Sequence, residues 1–228
     1  MRPLTRSRED YLKALYALAP APPTRAVGTT RLAAHLGVAP PSVTHMLGLL
    51  AAERLVTHTP RAGAQLTAAG RRRAIEIVRR HRILETFLVR VLGLDWSDVH
   101  EDAEVLEHHI SERVLEAIDR LMDRPAEDPH GHPIPDRHGR LHRRALTPLA
   151  SLPVGARATV REIRDRDRRR LAHWKQAGLV PGARVRMREV RALDDVFELE
   201  VEGRRLVTGS EGLDGVLVER PREGSHGP

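Results

Sequence analysis

The sequence predicts a mainly α protein with a small β domain near its C-terminal end. Three observations carry that fold class. The N-terminal third spells helix, helix, tight turn, helix and a short hairpin. The middle third repeats apolar residues at helical spacing, and beyond a Pro-, Gly- and His-rich stretch the side chains alternate with period two.

The elements follow in order. "SREDYLKALYALAP" opens a helix, with Ser7 as its N-cap, Glu9 and Asp10 in the first turn, and Pro20 as its stop. "TTRLAAHLGVAPPSVTHMLGLLAAERLV" reads as helix, turn at Gly37, helix. In the second of these helices Val43, Met46, Leu47 and Leu50 fall at i, i+3, i+4 and i+7, a single buried face. "RLVTHTPRAGAQLT" supplies two short strands around a turn at Arg61 to Ala64, so the segment as a whole reads as a winged helix-turn-helix. Thr67 caps a long helix running to about Leu92, with Leu84, Phe87, Leu88 and Val91 as its apolar stripe. A further helix carries "VHEDAEVLEHHI", and Ser111 to Met122 extends or follows it. "DRPAEDPHGHPIPDRHGRLHRR" has no period and reads as a linker, its histidines His130, His132, His138 and His142 as solvated polar residues. In the last part, "ARVRMREVR" alternates Val185 and Met187 against arginines, and "VFELEVEG" alternates Phe197, Leu199 and Val201 against glutamates. These are half-buried strands of a small β-barrel or sheet, with one helix near Arg168 to Ala177.

Composition narrows the function. With 38 Lys+Arg against 31 Asp+Glu the formal charge is +7, which suits a polyanionic partner. All of the Lys+Arg cations except Lys13 and Lys175 are arginine, so isolated arginine runs carry little weight. The absence of cysteine excludes disulfides and thiolate ligands and leaves oxygen and nitrogen donors for any metal. No apolar run reaches membrane-spanning length and no signal-type apolar segment opens the chain. A soluble, cytoplasmic protein without a membrane partner is therefore expected.

The chemistry concentrates in "VHEDAEVLEHHI". His100, Glu104, Glu107 and His108 stand at i, i+4, i+7 and i+8, one stripe of a helix where core leucines would be usual. Any one of them alone is best read as part of a solvated face with i,i+4 pairs; four together point to a cation. His81 and Glu85, also at i, i+4, form a second pair on the preceding helix.

The segments "EDYLKALYAL", "APPSVTHMLGLL", "HRILETFL" and "GLDWSDVHEDAEVLEHHIS", in this order and spacing, resemble the diphtheria toxin repressor family of metal-dependent transcriptional regulators. "DPHGHPIPD" looks like the segment that follows that family's dimerisation helices, and "RDRRRLAHWKQAGLVPGARVRM" resembles the SH3-like domain of its three-domain members and of ferrous iron transport accessory proteins. The resemblance runs from about Ser7 to Glu219. It implies a winged helix-turn-helix DNA-binding domain at 1–72, a helical dimerisation and metal-binding domain at 73–128, a linker at 129–146, an SH3-like β-barrel at 147–220 and a tail at 221–228.

The same resemblance implies two metal sites. The primary site takes Asp10, Glu104, Glu107 and His108; the second takes His81, Glu85 and His100, completed by Asp167 of the SH3-like domain, with Arg170 where a further polar ligand is expected. Position 10 is Asp where the family's iron sensors carry Met, and position 104 is Glu where they carry Cys. Hard oxygen in place of soft sulfur favours Mn²⁺ and still admits Fe²⁺. Lys13 replaces an acid of the manganese branch's binuclear cluster, and a cation there cannot ligate.

The function implied is a DNA-binding regulator of metal-homeostasis genes. The metal fixes a homodimer whose two recognition helices meet a palindromic operator in double-stranded DNA, with no organic cofactor. Candidate DNA contacts are Ala39, Pro41, Ser42, Thr44 and His45 at the start of the recognition helix and Arg61 at the wing tip. The competing reading is a metalloenzyme with a carboxylate and histidine dimetal site. Against it, neither His81 with Glu85 nor Glu104 with His108 has the i, i+3 spacing of carboxylate-bridged bundles, and no serine or cysteine nucleophile has a partner base. The protein is therefore expected not to be an enzyme.

Overall fold

The computed structural model describes residues 4–19, 26–142, 144–165 and 167–221. Pro20, expected to stop the first helix, lies outside them, as does nearly all of the 221–228 tail. The chain forms two compact units whose segments alternate along the sequence.

Unit 1 comprises residues 1–81, 104–115 and 135–141. Its helices α1 (Arg6–Leu18), α2 (Thr29–Leu36) and α3 (Pro40–Ala52) are followed by the antiparallel pair β1 (Val56–Thr59) and β2 (Gly63–Leu66), which is the expected winged helix-turn-helix. Gly37 ends α2 in the left-handed region at φ 65°, the conformation a tight helix-to-helix turn needs and glycine adopts most cheaply. Pro40 and Pro41 begin α3, where a missing N–H costs nothing. Ser7 is not the cap of α1; the helix starts one residue before it, behind Thr5, whose backbone carbonyl accepts from Arg8 and Glu9. Tyr11, Leu12 and Leu15 of α1 share one core with Leu32, Val43, Leu47, Leu50, Leu55, Val56 and Ile77. Each fully buried leucine there contributes about 1.5–3 kcal/mol, so α1 and α3 are held as one body. The Thr67 hydroxyl accepts from Gly70 N–H at 3.1 Å, capping α4 (Ala68–Arg90) as expected, although the helix ends two residues before Leu92.

Unit 2 comprises residues 82–103, 116–134 and 142–228. Most of α6 (Glu112–Leu121) lies here, together with a six-stranded antiparallel sheet ordered β3-β8-β4-β5-β6-β7. The strands are β3 (Thr147–Pro148), β4 (Arg157–Ile163), β5 (Arg184–Arg191), β6 (Val196–Val201), β7 (Arg204–Thr208) and β8 (Val216–Glu219). Val185, Met187, Phe197, Leu199 and Val201 all point into its core, as the alternation requires. The helix α7 (Arg168–Ala177) lies where expected, with Leu171 and Trp174 buried.

Two features of this unit depart from expectation. Trp96, from the middle of the sequence, is buried in the same core as the β strands. Asp95 and Asp98 beside it hold Lys175 at 2.5 Å and Arg168 at 2.5 Å. The stretch read as a linker is also largely built into the fold. Asp128, His130 and Ile134 are buried, Glu127 bridges Pro133, and Ile163 N–H donates to the His130 carbonyl at 2.9 Å. Gly131, at φ 84°, lies so close to β4 that a Cβ would stand 1.7 Å from the Arg161 carbonyl oxygen. Aperiodicity in this stretch reflects ordered turns made by Asx-type hydrogen bonds, which have no sequence period.

Candidate metal centre

Within unit 1, α1 and the 104–108 segment bring Asp10, Glu104, Glu107 and His108 together, with one ligand atom from each inside a group no more than 4.8 Å across. The helix that carries Glu104, α5 (Val99–Leu106), ends before Glu107, so the expected single helical stripe is corrected. Glu107 and His108 lie in the turn that follows, where the Leu106 carbonyl accepts from both His109 N–H and Ile110 N–H at 3.0 Å. Because the second of these bonds is i to i+4, the turn still follows helical winding and keeps both side chains beside Glu104.

Three carboxylates this close need positive charge. Burial pushes the Asp10 carboxyl above its ordinary value of 3.8; His108 lowers it, while Glu104 and Glu107 raise it further. Glu107 is fully buried. Part of the compensation comes from Lys13, itself buried, whose Nζ donates to Glu104 Oε1 at 2.7 Å and to the two Glu107 oxygens at 2.9 and 2.8 Å. Lys13 thus enters the cluster as an ion-pair partner, as its charge demands. The His81 Nδ1 lies 2.6 Å from Glu107 Oε2 and 3.1 Å from Lys13 Nζ. With a proton on Nδ1 the ring donates to Glu107; without one, Nδ1 accepts from Lys13.

The donor set fits a hard divalent cation: oxygens and imidazole nitrogen, with no sulfur. His108 supplies the sharpest sign. Its Nε2 is buried and makes no hydrogen bond among the described residues, while standing 3.0 Å from Asp10 Oδ1 and 3.6 Å from Glu107 Oε1. A buried nitrogen that faces two carboxylates without a hydrogen bond is in the position of a ligand.

In unit 2, Glu85 is buried and its Oε1 lies 3.1 Å from His100 Nδ1. The other oxygen, Oε2, is 3.9 Å from His130 Nδ1. Asp128, His130 and His132 form a further group with ligand atoms within 4.8 Å of one another. His132 Nδ1 is 3.2 Å from Asp128 Oδ2, and His130 Nε2 is 2.9 Å from the Trp96 carbonyl oxygen, which assigns a proton to that nitrogen. His130 and His132, expected to be solvated linker residues, are instead grouped with Asp128, His130 itself buried; the D-x-H-x-H spacing is the signal the sequence offers for this group. Asp167 is exposed and caps α7, its carboxylate accepting from Arg169 N–H and Arg170 N–H. Arg170 pairs with Asp165 at 3.0 Å, donates to the carbonyls of Glu211 and Asp214, and stacks over Trp174. Among the described residues Asp167 joins none of the metal-type clusters.

The expected reading surface is accessible. Ala39, Pro41, Ser42, Thr44 and His45 are exposed around the N-terminal turn of α3, while Val43 among them and Leu47 one turn further on are buried. Arg61 is exposed at the hairpin tip, at φ 65°.

Residues 3–64 match the family model described as iron dependent repressor, N-terminal DNA binding domain. Residues 67–136 match iron dependent repressor, metal binding and dimerisation domain, and residues 147–220 match the FeoA domain. The chain is 32% identical over 202 residues to the iron-dependent repressor IdeR of Mycobacterium leprae, covering 81% of this chain and 85% of that one. It is 41% identical over 113 residues to the transcriptional regulator MntR of Escherichia coli, covering 48% of this chain and 69% of that one. A solved structure described as a manganese-dependent transcriptional repressor in complex with manganese superposes with a TM-score of 0.85 at 33% identity, over 94% of this chain and all of the other.

Proposed function

The chain belongs to the iron-dependent repressor family of metal-dependent, DNA-binding transcriptional regulators, and from that premise we propose that it is a cytoplasmic Mn²⁺ sensor that binds a palindromic operator as a homodimer. It is a regulator and not an enzyme; the relatives it matches are named as repressors and regulators, and nothing among them supports the dimetal-enzyme reading.

The observation that carries the proposal is the grouping of Asp10 from α1 with Glu104, Glu107 and His108 from the 104–108 segment. Asp10, Glu104, Glu107 and His108 would hold the ion, which would supply the positive charge that the three carboxylates call for. Fe²⁺ is the second metal the oxygen and nitrogen donors admit. What the chain's own residues do follows from the packing. Asp10 leads directly into the core face of α1, and Tyr11, Leu12 and Leu15 share a core with Val43, Leu47 and Leu50 of α3. Fixing Asp10 against the 104–108 segment therefore fixes the reading helix relative to the segment that matches a dimerisation domain. Exposed apolar side chains of that segment, among them Val105, Leu106 and Val114, suit a self-complementary dimer surface. Two reading helices then meet major grooves about 34 Å apart, so their spacing sets affinity for a palindrome. When the charge is withdrawn, repulsion among the three carboxylates loosens that spacing.

Fluorescence anisotropy of labelled promoter DNA, in chelated buffer and with Mn²⁺, Fe²⁺ or Zn²⁺ added separately, tests the proposal. Mn²⁺-dependent binding is expected, with affinity falling steeply as salt is raised because phosphate contacts release counterions. Equal affinity with chelator and with Mn²⁺ would overturn it.

A further inference from the structure

The two ring nitrogens of His108 face consecutive residues of α1. Its Nε2 faces Asp10, 3.0 Å from Oδ1; its Nδ1 lies 2.6 Å from Glu9 Oε2. The Glu9 carboxylate is largely buried, its side chain 13% exposed, and its other oxygen is 3.4 Å from Arg80 Nη1. The His108 side chain is 2% exposed, so little solvent competes for the ring. Neither Glu9 nor Arg80 belongs to the ligand cluster.

We propose that Glu9 is a positioning residue for the metal centre, selecting the histidine tautomer that can ligate and fixing the plane of its ring. The proposal rests on His108 Nε2 being a ligand, and it deepens that reading. A neutral imidazole carries one proton, and only the nitrogen without it can donate a lone pair to a cation. In water the Nε2–H form of histidine is the more populated, which would place the proton on the nitrogen the ion requires. A carboxylate 2.6 Å from Nδ1 reverses that preference: Nδ1–H donates to Glu9, and Nε2 is left with a free lone pair on the side of the Asp10 and Glu107 oxygens, where a cation would bridge them. The hydrogen bond also makes the imidazole a stronger base toward a cation, and its direction holds the ring plane. Arg80, on α4, anchors the far oxygen of Glu9, so the carboxylate does not swing away. Two consecutive residues of α1 thus address the centre, Asp10 directly and Glu9 through the ring of His108.

The test is a double-mutant cycle read by Mn²⁺ binding, with free Mn²⁺ followed by electron paramagnetic resonance on the full-length chain. Glu9→Ala is expected to weaken Mn²⁺ binding by about 10–100-fold, the usual loss for removing a carboxylate behind a ligating histidine. Glu9→Gln, which keeps an acceptor for Nδ1–H, should fall between Glu9→Ala and wild type. In a His108→Ala background Glu9→Ala should cost nothing more, whereas Asp10→Asn should weaken binding in either background. Wild-type affinity for Glu9→Ala beside a weakened His108→Ala overturns the role of Glu9 and leaves the metal centre standing. A Glu9→Ala loss that persists without His108 also overturns it, since Glu9 then acts elsewhere. Wild-type affinity for His108→Ala overturns the underlying centre itself. A measurement without variants accompanies these: in a ¹H–¹⁵N long-range histidine spectrum of the Zn²⁺-loaded chain, His108 should carry its proton on Nδ1 and the ion on Nε2. The reverse assignment overturns the proposal.

Discussion

The Nζ of Lys13 lies 2.8 and 2.9 Å from the two oxygens of Glu107, in a position where Glu107 is fully buried. The ammonium thus neutralises, from inside the fold, charge that a divalent ion would also seek. Removing it has two opposite effects. Lys13→Gln leaves buried carboxylates unpaired, so the chelated protein should lose about 3–5 kcal/mol of stability. The same carboxylates then attract a divalent ion more strongly, and Mn²⁺ affinity should rise roughly tenfold or more. Thermal unfolding with and without Mn²⁺ checks both; an equal loss of stability in the two conditions contradicts the account.

Metal preference should follow the donors at positions 10 and 104. Asp10→Met with Glu104→Cys replaces two hard oxygens by sulfur and should move activation of DNA binding from Mn²⁺ toward Fe²⁺ or softer ions. Glu107→Gln should weaken the response to every metal, because that carboxylate is common to the cluster and to the Lys13 pair. An unchanged order of metals in the double variant, followed by anisotropy, would place selectivity elsewhere.

In unit 2, Asp95 accepts from Lys175 at 2.5 Å and from the Ser97 amide and hydroxyl at 2.9 and 2.7 Å. The Lys175 hydrogen bond leads these in lowering the Asp95 carboxyl from 3.8 to about 2. Its folded value lies below its unfolded one, so the stabilisation is present above pH 3.8 and is lost as pH falls toward 2. Both side chains are more than a third exposed, which limits the effect to about 1 kcal/mol. Urea unfolding of wild type and Asp95→Asn should differ at neutral pH and converge near pH 2.

Trp96 separates packing from hydrogen bonding. Its ring is buried in the core of the β domain, yet its Nε1 has no hydrogen-bond partner among the described residues. Trp96→Ala should cost about 3–5 kcal/mol, while Trp96→Phe, which removes the unsatisfied N–H and keeps most of the apolar surface, should cost much less. Chemical denaturation of the two variants distinguishes them; similar losses would mean the indole N–H matters as much as the ring.

What the sequence disclosed and what it withheld divide along physical lines. Period-two alternation located β5 and β6 because half-buried strands must alternate, and Gly37 marked the helix-to-helix turn because left-handed backbone favours glycine. Asp10, Glu104, Glu107 and His108 were legible through a family resemblance and the i, i+4 spacing, although the helix thought to carry all of the stripe stops at Leu106. Glu9 was legible only as a first-turn acid: its bond to His108 spans 99 positions, and no local pattern reports that. The burial of Trp96 among β strands is equally non-local. Asp128 and His130 were masked by proline and glycine, which signal irregular backbone without saying whether it is ordered.

The place of Lys13 has a consequence at the level of the gene. Lysine and glutamate codons differ by a single first-base change, so one transition or its reverse exchanges a fixed internal cation for a third carboxylate beside Glu104 and Glu107. The helix that presents it is fixed in the core by Leu12 and Leu15. A Lys13→Glu exchange would therefore stand three carboxylates side by side in the fold, and the charge that the ammonium now supplies would have to come from a bound cation.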